Sequence, residues 1–274
     1  MRVPASLRRT WAHEQEWLEA LPGLVGACAR DWGLALEEPI DTPHSFVAPA
    51  GRAVLKLNAP GHHEADREAD ALAVWEGEGA VRLLARDDER RALLLERCLP
   101  GTRLRDSDAD EAAVIAELMP RLQVPLAGGH AFELLSDWAA RWAVWMPRRY
   151  AEAGTPFERS LLDAALDVYR TVDRSAASLV NQDLHGGNVL RAEREPWLVI
   201  DPKPLVGERE LEASGILRNA GSVTRWLDVL AEVGLDRERA RGWGVAHNLA
   251  WAWDEHRGWL EAHVDEARRI LSAP

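Results

Sequence analysis

The sequence predicts an α+β protein of two unequal parts, a small strand-rich N-terminal part and a larger helical C-terminal part. Short apolar stretches bounded by turn residues are concentrated before residue 101, whereas apolar positions at helical spacing dominate after it. The length of 274 residues suits one large domain or two unequal ones. Because the Pro100-Gly101 turn ends the last strand-like stretch of the first part, we predict domains at 1–98 and 99–274.

The N-terminal part begins with a helical pattern and continues with strands. Apolar residues recur at helical spacing over 8–36 and are interrupted by Pro22-Gly23, which predicts two short helices or one interrupted helix. In 40–58, turn formers precede the apolar stretch AVLKLN, which is typical of a strand. This strand carries Lys56.

A helix and two further strands complete the N-terminal part. Apolar residues at spacings of three and four over 63–75 predict a helix that carries Glu68. The stretch VRLL at 81–84 and the continuous apolar run at 92–101 predict strands, the second one buried.

The C-terminal part is predicted to be helical around one β-hairpin. Strand signals remain at 188–192 and 196–202, joined by a polar turn. The segments with helical spacing are 108–123, 131–152, 157–178, 209–220, 223–232, 236–251 and 253–271.

Composition excludes several classes of protein. The formal net charge of −12 argues against nucleic-acid binding, which depends on clustered positive charge. Charged residues interrupt every apolar run before it reaches membrane-spanning length, and the N-terminal residues do not resemble a secretion signal, so we expect a cytoplasmic protein without membrane contact. Cys28 and Cys98 fit no metal-ligand spacing and are expected to be free thiols. We expect a monomer or weak dimer.

Lysine is rare in this chain. Of its 33 basic residues only Lys56 and Lys203 are lysines. Lysine is a compact point charge on a thin stem, whereas arginine is a wide planar fork. A position that keeps lysine in such an arginine-rich chain is therefore a candidate for a buried site or a phosphate contact, and the alternative is that both lysines occur by chance.

The densest group of polar residues in an apolar setting is LVNQDLHGGNVL, at 179–190. It contains Asp183 and Asn188, and Asp201 follows at the end of the second hairpin strand. Two carboxylates and an amide form an all-oxygen donor set, which suits Mg²⁺ completed by substrate phosphates. Asp-x-x-x-x-Asn followed by a strand and Asp matches the catalytic half of protein-kinase-like enzymes, and a strand lysine followed by a helix glutamate matches their ATP-binding half.

The segment at 184–219, together with AVLKL, GAVRLL and LLLERCLPG, also resembles the aminoglycoside and hydroxyurea antibiotic-resistance kinases, a group that includes streptomycin 6-kinase. The likeness spans roughly 30–260. It implies a protein-kinase-like two-lobe fold and transfer of the ATP γ-phosphate to a hydroxyl of a small molecule.

The resemblance implies a role for each matching residue. Asp183 becomes the catalytic base, and Asn188 and Asp201 become the Mg²⁺ ligands. Lys56 would contact the α- and β-phosphates of ATP while Glu68 holds it in place.

Further residues would complete the nucleotide site. The backbone of Glu96–Cys98 would contact the adenine edge, and the Cys98 thiol is expected only to pack. Ser45 is the best remaining phosphate donor in a first hairpin that lacks glycine-rich sequence. If strand alternation continues past Asp201, Lys203 faces the metal site and contacts phosphate or substrate. An ion pair with Glu208 or Glu210 is the alternative for Lys203.

Two further departures from the family pattern concern residues 181–182 and residues 120–136. Asn181-Gln182 stands where the family usually has His-Gly, and we expect Asn181 to take over the scaffolding role of that histidine. His185 is expected to brace the loop by a hydrogen bond. The second departure is that 120–136 matches no family feature.

The negative net charge favours a cationic acceptor such as an aminoglycoside. Candidate acceptor-side carboxylates are Asp137, Asp254 and Glu255, each of which also suits a solvated helix face. Most tryptophans are expected in the core, and one or two could form a wall against a sugar ring. Two alternatives stay open: a kinase of another hydroxyl compound (hydroxyurea, a peptide antibiotic, a sugar or a choline-like metabolite), and a non-catalytic nucleotide-binding regulator.

Overall fold

The computed structural model describes residues 2–218, 220–254 and 257–274. They form two compact units. The first runs to Arg103 and also takes in Leu190–Asp201, and the second comprises Leu104–Val189 and Pro202–Pro274. The predicted division at 98/99 thus differs from the observed one in two ways: the first unit extends to Arg103, and it includes most of the β-hairpin that the sequence assigned to the helical part.

The helices of the described residues are α1 (Ala5–Thr10), α2 (Gln15–Asp31), α3 (Glu68–Trp75), α4 (Glu111–Leu122), α5 (Leu135–Glu152), α6 (Arg159–Arg170), α7 (Ala213–Leu217), α8 (Val223–Glu232), α9 (Arg237–Trp251) and α10 (Glu261–Leu271). The strands are β1 (Ser45–Ala50), β2 (Ala53–Asn58), β3 (Leu83–Asp87), β4 (Ala92–Glu96), β5 (Ser178–Asn181), β6 (Val189–Arg191), β7 (Trp197–Val199), β8 (Pro204–Gly207), β9 (Trp253–Asp254) and β10 (Gly258–Trp259).

The first unit is built on an antiparallel sheet in the order β1-β2-β4-β3. Strand β2 is central, and its Lys56 pairs with Val47 of β1 and Leu93 of β4. Helix α2 contributes Leu21 and Val25 to the hydrophobic core that also contains side chains of β1 and β2. The hairpin β6–β7 joins this unit through a bridge between Ala80 and Val199.

The predicted interruption at Pro22-Gly23 is wrong, because α2 continues through both residues and the break lies between α1 and α2. A proline inside a helix loses one backbone hydrogen bond. Here the apolar face of α2, with Leu21 and Val25 fully buried, provides packing that outweighs this loss.

The second unit is mainly helical around α9, which packs against α6, α7 and α10. It also contains an antiparallel pair of short strands, β5 and β8, in which Asn181 lies opposite Pro204. The sequence analysis missed this pair because both strands are almost entirely buried and lack an alternating pattern. Residues 253–259, predicted to be helical, contain the β9–β10 pair instead.

Among the described residues, no helix is both long enough and apolar enough to span a membrane.

Candidate active site

The first unit holds a buried ion-pair cluster around Lys56. The ammonium of Lys56 lies 2.7 Å from both carboxylate oxygens of Glu68 and 2.5 Å from Oδ1 of Asp201. Lys56 is positioned by the centre of the sheet, and Glu68 by the first turn of α3. The predicted pairing of a strand lysine with a helix glutamate is therefore present in the structure.

Burial and charge act on Lys56 in opposite directions. Burial disfavours the ammonium form, but the carboxylates of Asp201 and Glu68 outweigh it and hold the pKa of Lys56 above its ordinary value. Lys56 is therefore a permanent positive charge at neutral pH, as a phosphate contact requires.

A hydrogen-bond chain supports this cluster from below. The hydroxyl of Ser45 donates to Oδ1 of Asn58 at 2.6 Å, and Nδ2 of Asn58 lies 3.4 Å from Oε2 of Glu68. Ser45 stands at the start of β1 and is buried, away from the β1–β2 turn. Its hydroxyl is thus engaged within the unit, which differs from the phosphate donor that the sequence suggested.

Asp201 lies in a backbone conformation that is uncommon outside glycine. Strand β7 ends at Val199, and Asp201 has φ of +51°. The turn ends the strand alternation that was expected to place Asp201 and Lys203 on the same side. Strand alternation therefore does not apply to Lys203, and its contacts must be taken from the structure instead.

The segment predicted to contact adenine is partly engaged. The amide of Glu96 donates to the carbonyl of Arg82, and that of Arg97 to the carbonyl of Arg52. The Glu96 carboxylate binds Arg194 at 2.9 Å. Burial and the nearby Glu96 raise the pKa of the Cys98 thiol to about 12, so it stays neutral, in line with the packing role expected for it.

In the second unit, Asp183 lies in the loop that follows β5. The amide nitrogen of Asn188 donates to the Asp183 carbonyl at 3.1 Å and to Oδ2 of Asp183 at 3.2 Å. Since Asn188 uses its nitrogen toward Asp183, its oxygen is the atom that remains for a hard cation. The donor chemistry of Asn188 therefore fits Mg²⁺.

Asn181 anchors this loop from inside the protein. Its buried Oδ1 accepts hydrogen bonds from the amides of Asp183 at 3.1 Å and Lys203 at 3.0 Å. Its own amide donates to Oε1 of Glu212 at 2.9 Å, and Gln123 donates to the second oxygen of Glu212 at 2.6 Å. The scaffolding contacts expected of residue 181 are present, and the buried Glu212, which the sequence analysis did not single out, supports them.

Glycines allow neighbouring elements to approach the loop closely. A Cβ on Gly186 would lie 2.5 Å from the Glu111 side chain, whose carboxylate accepts from the Gly186 amide at 3.0 Å. A Cβ on Gly215 of α7 would lie 2.7 Å from the carbonyl oxygen of Leu184. The contact at Gly215 is with backbone, so a side chain there would force the loop to shift, whereas a side chain at Gly186 would displace the Glu111 carboxylate.

Two cations bind the Asp183 carboxylate. Nζ of Lys203 lies 2.9 Å from Oδ2, and Nη1 of Arg218 lies 3.4 Å from Oδ1. The alternative partner for Lys203, Glu208, is instead bound by Arg239 at 2.6 Å. Arg218 was missed by the sequence analysis because one arginine has no distinguishing signal in a chain with so many.

His185 braces the loop as expected. Its Nδ1 accepts from the Gly187 amide at 3.0 Å and lies 2.7 Å from Nη2 of Arg105. Burial lowers the pKa of His185 to about 4, with Arg105 among the charges that add to this and Asp183 opposing it. The ring is therefore neutral at pH 7, although its Nε2 lies 3.6 Å from Oδ1 of Asp183.

An aromatic cluster lies beside the loop. Nε2 of His247 is 2.9 Å from Oε1 of Gln182, and the His247 ring stacks on Trp138 and contacts Trp251. The ring of Trp251 in turn lies 3.7 Å from the Arg218 guanidinium carbon and 5.2 Å from Nζ of Lys203.

Two of the three candidate acceptor-side carboxylates lie among the described residues. Asp137 is exposed on α5, and Asp254 accepts from the Arg257 amide at 2.8 Å. Glu255 lies outside the described residues. Trp226 and Trp243 are buried, as the sequence analysis expected for most tryptophans.

Solved structures of small-molecule kinases resemble this fold. Choline kinase LicA from Streptococcus pneumoniae matches with a TM-score of 0.63 over 92% of this chain and 97% of that one, at 12% identity. A choline/ethanolamine kinase family protein from Mesorhizobium loti matches with a TM-score of 0.62 over 88% of this chain and 89% of that one, at 12% identity. These likenesses establish the fold, which is the protein-kinase-like α+β fold that the sequence predicted.

Curated relatives are closer in sequence. Streptomycin 6-kinase from Streptomyces glaucescens is 36% identical, with 98% of this chain and 94% of the relative aligned. Hydroxyurea phosphotransferase from Kitasatospora aureofaciens is 39% identical, with 91% of this chain and 78% of the relative aligned. The fold and these relatives define the class of the protein, a small-molecule phosphotransferase, and the non-catalytic alternative is thereby set aside.

The family assignment is more specific. Residues 38–258 match the aminoglycoside/hydroxyurea antibiotic resistance kinases. The chain belongs to this family, as the resemblance of its motifs indicated.

Proposed function

We propose that the protein transfers the γ-phosphoryl group of ATP, with Mg²⁺, to a hydroxyl of an aminoglycoside such as streptomycin. The observation that carries this proposal is the environment of Asp183, a buried carboxylate held by Asn188 and Lys203 in a loop anchored on Asn181. It is supported by the likeness to streptomycin 6-kinases from two Streptomyces species, at 36% and 35% identity.

Lys56 is proposed to bind the α- and β-phosphates of ATP. Asp201 and Glu68 hold its positive charge, and its stem reaches from the centre of the sheet. Because the amides of Glu96 and Arg97 already donate to backbone carbonyls, the backbone of Cys98 is the part of the predicted adenine segment that we assign to the base.

Asn188 and Asp201 are proposed as the Mg²⁺ ligands, on the basis of residue type and of their order in the chain. Bound Mg²⁺ would neutralise charge on the phosphates. Ser45 acts indirectly, because it binds Asn58, which in turn binds Glu68, the partner of Lys56. Lys203 acts through its ion pair with Asp183.

Asp183 is proposed to orient the acceptor hydroxyl and to accept its proton. The oxygen of that hydroxyl forms a bond to the γ-phosphorus, and the bond between phosphorus and the β,γ-bridging oxygen breaks with its electron pair going to ADP. The hydroxyl proton goes to the Asp183 carboxylate. Positioning and charge neutralisation account for most of catalysis in such transfers.

The net charge of −12 favours a cationic acceptor, and exposed Asp137 and half-buried Asp254 of the second unit are the carboxylates we assign to it. The second candidate function is phosphorylation of hydroxyurea. It is favoured by the 39% identity to a hydroxyurea phosphotransferase. We further propose a cytoplasmic protein that acts as a monomer or weak dimer.

The deciding experiment is ADP release from Mg²⁺-ATP, measured with streptomycin, other aminoglycosides and hydroxyurea in parallel. We expect one class of acceptor to stimulate release and chelation of the metal to abolish it. Asp183→Asn should lower turnover by about 10²–10⁴-fold while ATP binding persists. Asp163→Asn is the matched control, since Asp163 is an exposed residue of α6, and it should keep full activity.

Two results would refute parts of this proposal. Acceptor-stimulated release that is undiminished in Asp183→Asn would remove Asp183 from the mechanism. Stimulation by hydroxyurea, with none by any aminoglycoside, would replace the first acceptor by the second.

A further inference from the structure

We propose that Arg218 is a catalytic residue that binds the transferred phosphoryl group, and that Trp251 positions it. This inference rests on the proposed function, because it requires a phosphoryl group to pass next to Asp183. It concerns residues of the second unit alone.

The two oxygens of Asp183 differ in their environment. Oδ2 is held by the Lys203 ammonium at 2.9 Å and by the Asn188 amide at 3.2 Å. The contacts of Oδ1 with side chains of the described residues are longer, to Arg218 at 3.4 Å and to the neutral His185 ring at 3.6 Å. Oδ1 is therefore the oxygen better placed to take the proton of an acceptor hydroxyl, and Arg218 is the cation beside it.

The Arg218 guanidinium contacts both Asp183 and the ring of Trp251. Charge-assisted N–H···O bonds are ordinarily about 2.7–2.9 Å long, and this one measures 3.4 Å. The guanidinium carbon lies 3.7 Å from the centre of the Trp251 ring, which is the distance of a stacked pair. We infer that the ring holds one face of the guanidinium in place.

Trp251 is itself firmly held. It is the last residue of α9, and its ring contacts His247 with centroids 4.6 Å apart. His247 is fully buried, stacks on Trp138 and binds Gln182. Stacking uses the face of a guanidinium, while its N–H donors lie in the plane at the edge, where a phosphoryl group presents its oxygens.

The sequence of events follows from charge. Before transfer, the Asp183 carboxylate binds Lys203 and Arg218. As the acceptor proton moves to Oδ1 the carboxylate becomes neutral, and negative charge is spread over the phosphoryl oxygens within reach of the same cation. Arg218 then contacts those oxygens more strongly than it contacted Asp183, and interactions that strengthen in this way accelerate the chemical step.

The test is chemical rescue of Arg218→Ala by guanidinium ion in the ADP-release assay. We expect kcat to fall by about 10²–10³-fold, with the KM for ATP little changed. Millimolar guanidinium chloride should restore part of the lost kcat, because the ion can occupy the space above Trp251. The double variant Arg218→Ala/Trp251→Leu should show no rescue, because the ring that would hold the ion is gone.

Three further variants separate a chemical role from a structural one. Arg218→Lys should stay slow, because an ammonium neither stacks nor forms a fork. Trp251→Phe should keep most of the kcat, whereas Trp251→Leu should lower it. Arg148→Ala removes an exposed arginine of α5, and it should neither lose activity nor respond to guanidinium.

The outcomes are distinct. Wild-type kcat in Arg218→Ala, or a loss that guanidinium does not restore although ATP still binds, overturns the role of Arg218. If Arg218→Ala fails to fold, equal kcat in Trp251→Phe and Trp251→Leu overturns it instead. An unaltered wild type that releases no ADP with any acceptor refutes the proposed function, which is a different result.

Discussion

The buried carboxyl of Glu212 predicts a specific dependence of stability on pH. Glu212 is fully buried, and its two oxygens accept from the Asn181 amide and the Gln123 side chain. Burial is the largest effect on it and raises its pKa to about 8, from an ordinary value of 4.5. The substitution Glu212→Gln keeps the shape of the side chain and one acceptor oxygen, but it removes the ionisable carboxyl.

The direction and size of the pH effect on the free energy of unfolding follow from the difference between the folded-state and unfolded-state pKa of Glu212. Because its pKa is higher in the folded state, that state binds more protons at Glu212 than the unfolded state between pH 4.5 and 8, so stability falls as pH rises through this window. A shift from 4.5 to about 8 corresponds to roughly 5 kcal/mol at 1.36 kcal/mol per pH unit. Whole domains are stable by only about 5–15 kcal/mol, so the effect should be easy to measure.

The assay is urea unfolding of the wild type and of Glu212→Gln at intervals from pH 5 to pH 8.5. Burial also lowers the pKa values of His185 and His247, and these make stability rise with pH up to about 6.5. The difference between the two proteins cancels these contributions. We expect the wild type to lose stability relative to the variant as pH rises, by several kcal/mol over the range.

Glu232→Gln is the matched control, since Glu232 is an exposed residue of α8, and it should follow the wild type at every pH. A constant difference between the wild type and Glu212→Gln across the range would show that Glu212 does not titrate between pH 5 and 8.5, and would refute the reasoning.

Three other predictions test the site. Lys56→Arg should raise the KM for ATP by about tenfold or more, because the wide fork does not fit between two carboxylates that enclose an ammonium; an unchanged KM in steady-state kinetics would return Lys56 to a purely structural role. Gly215→Ala should lower the free energy of unfolding by about 1–3 kcal/mol, since its Cβ would lie 2.7 Å from a backbone oxygen of Leu184, whereas Gly221→Ala, with nothing within 4 Å, should unfold at the wild-type urea concentration. Asn181→Ala leaves two buried amides without their acceptor and should cost about 1–3 kcal/mol as well as turnover; equal stability and kcat would contradict the anchoring role.

Sequence patterns predicted the parts of the site that lie close together along the chain. Lys56 lies in β2 and Glu68 at the start of α3, the next helix along the chain, so the hydrophobic pattern of each element was enough to place the two residues. Asp183 and Asn188 share a loop, and the Asp-x-x-x-x-Asn spacing identified it. The α+β class and the order of elements followed from the same local patterns.

Tertiary partners could not be predicted in this way. Arg218 and Glu212 reach the Asp183 loop from the segment containing α7, and nothing in their sequence neighbourhood distinguishes them from other charged residues. The short strands β5 and β8 were missed because complete burial removes alternation. The sequence pattern predicts a break at Pro22 because it does not show how much packing the rest of α2 provides.

The division of the chain limits how this enzyme could exchange parts during evolution. The unit that holds Lys56 also includes Leu190–Asp201. A recombination near residue 103 would therefore combine Lys56 from one parent gene with its partner Asp201 from another. Arg194 of the same hairpin also binds Glu96 and the carbonyls of Gly77 and Ala80. The unit that holds Lys56 is therefore not continuous in sequence and is not an interchangeable cassette, so new properties should arise by point changes more readily than by recombination at this boundary.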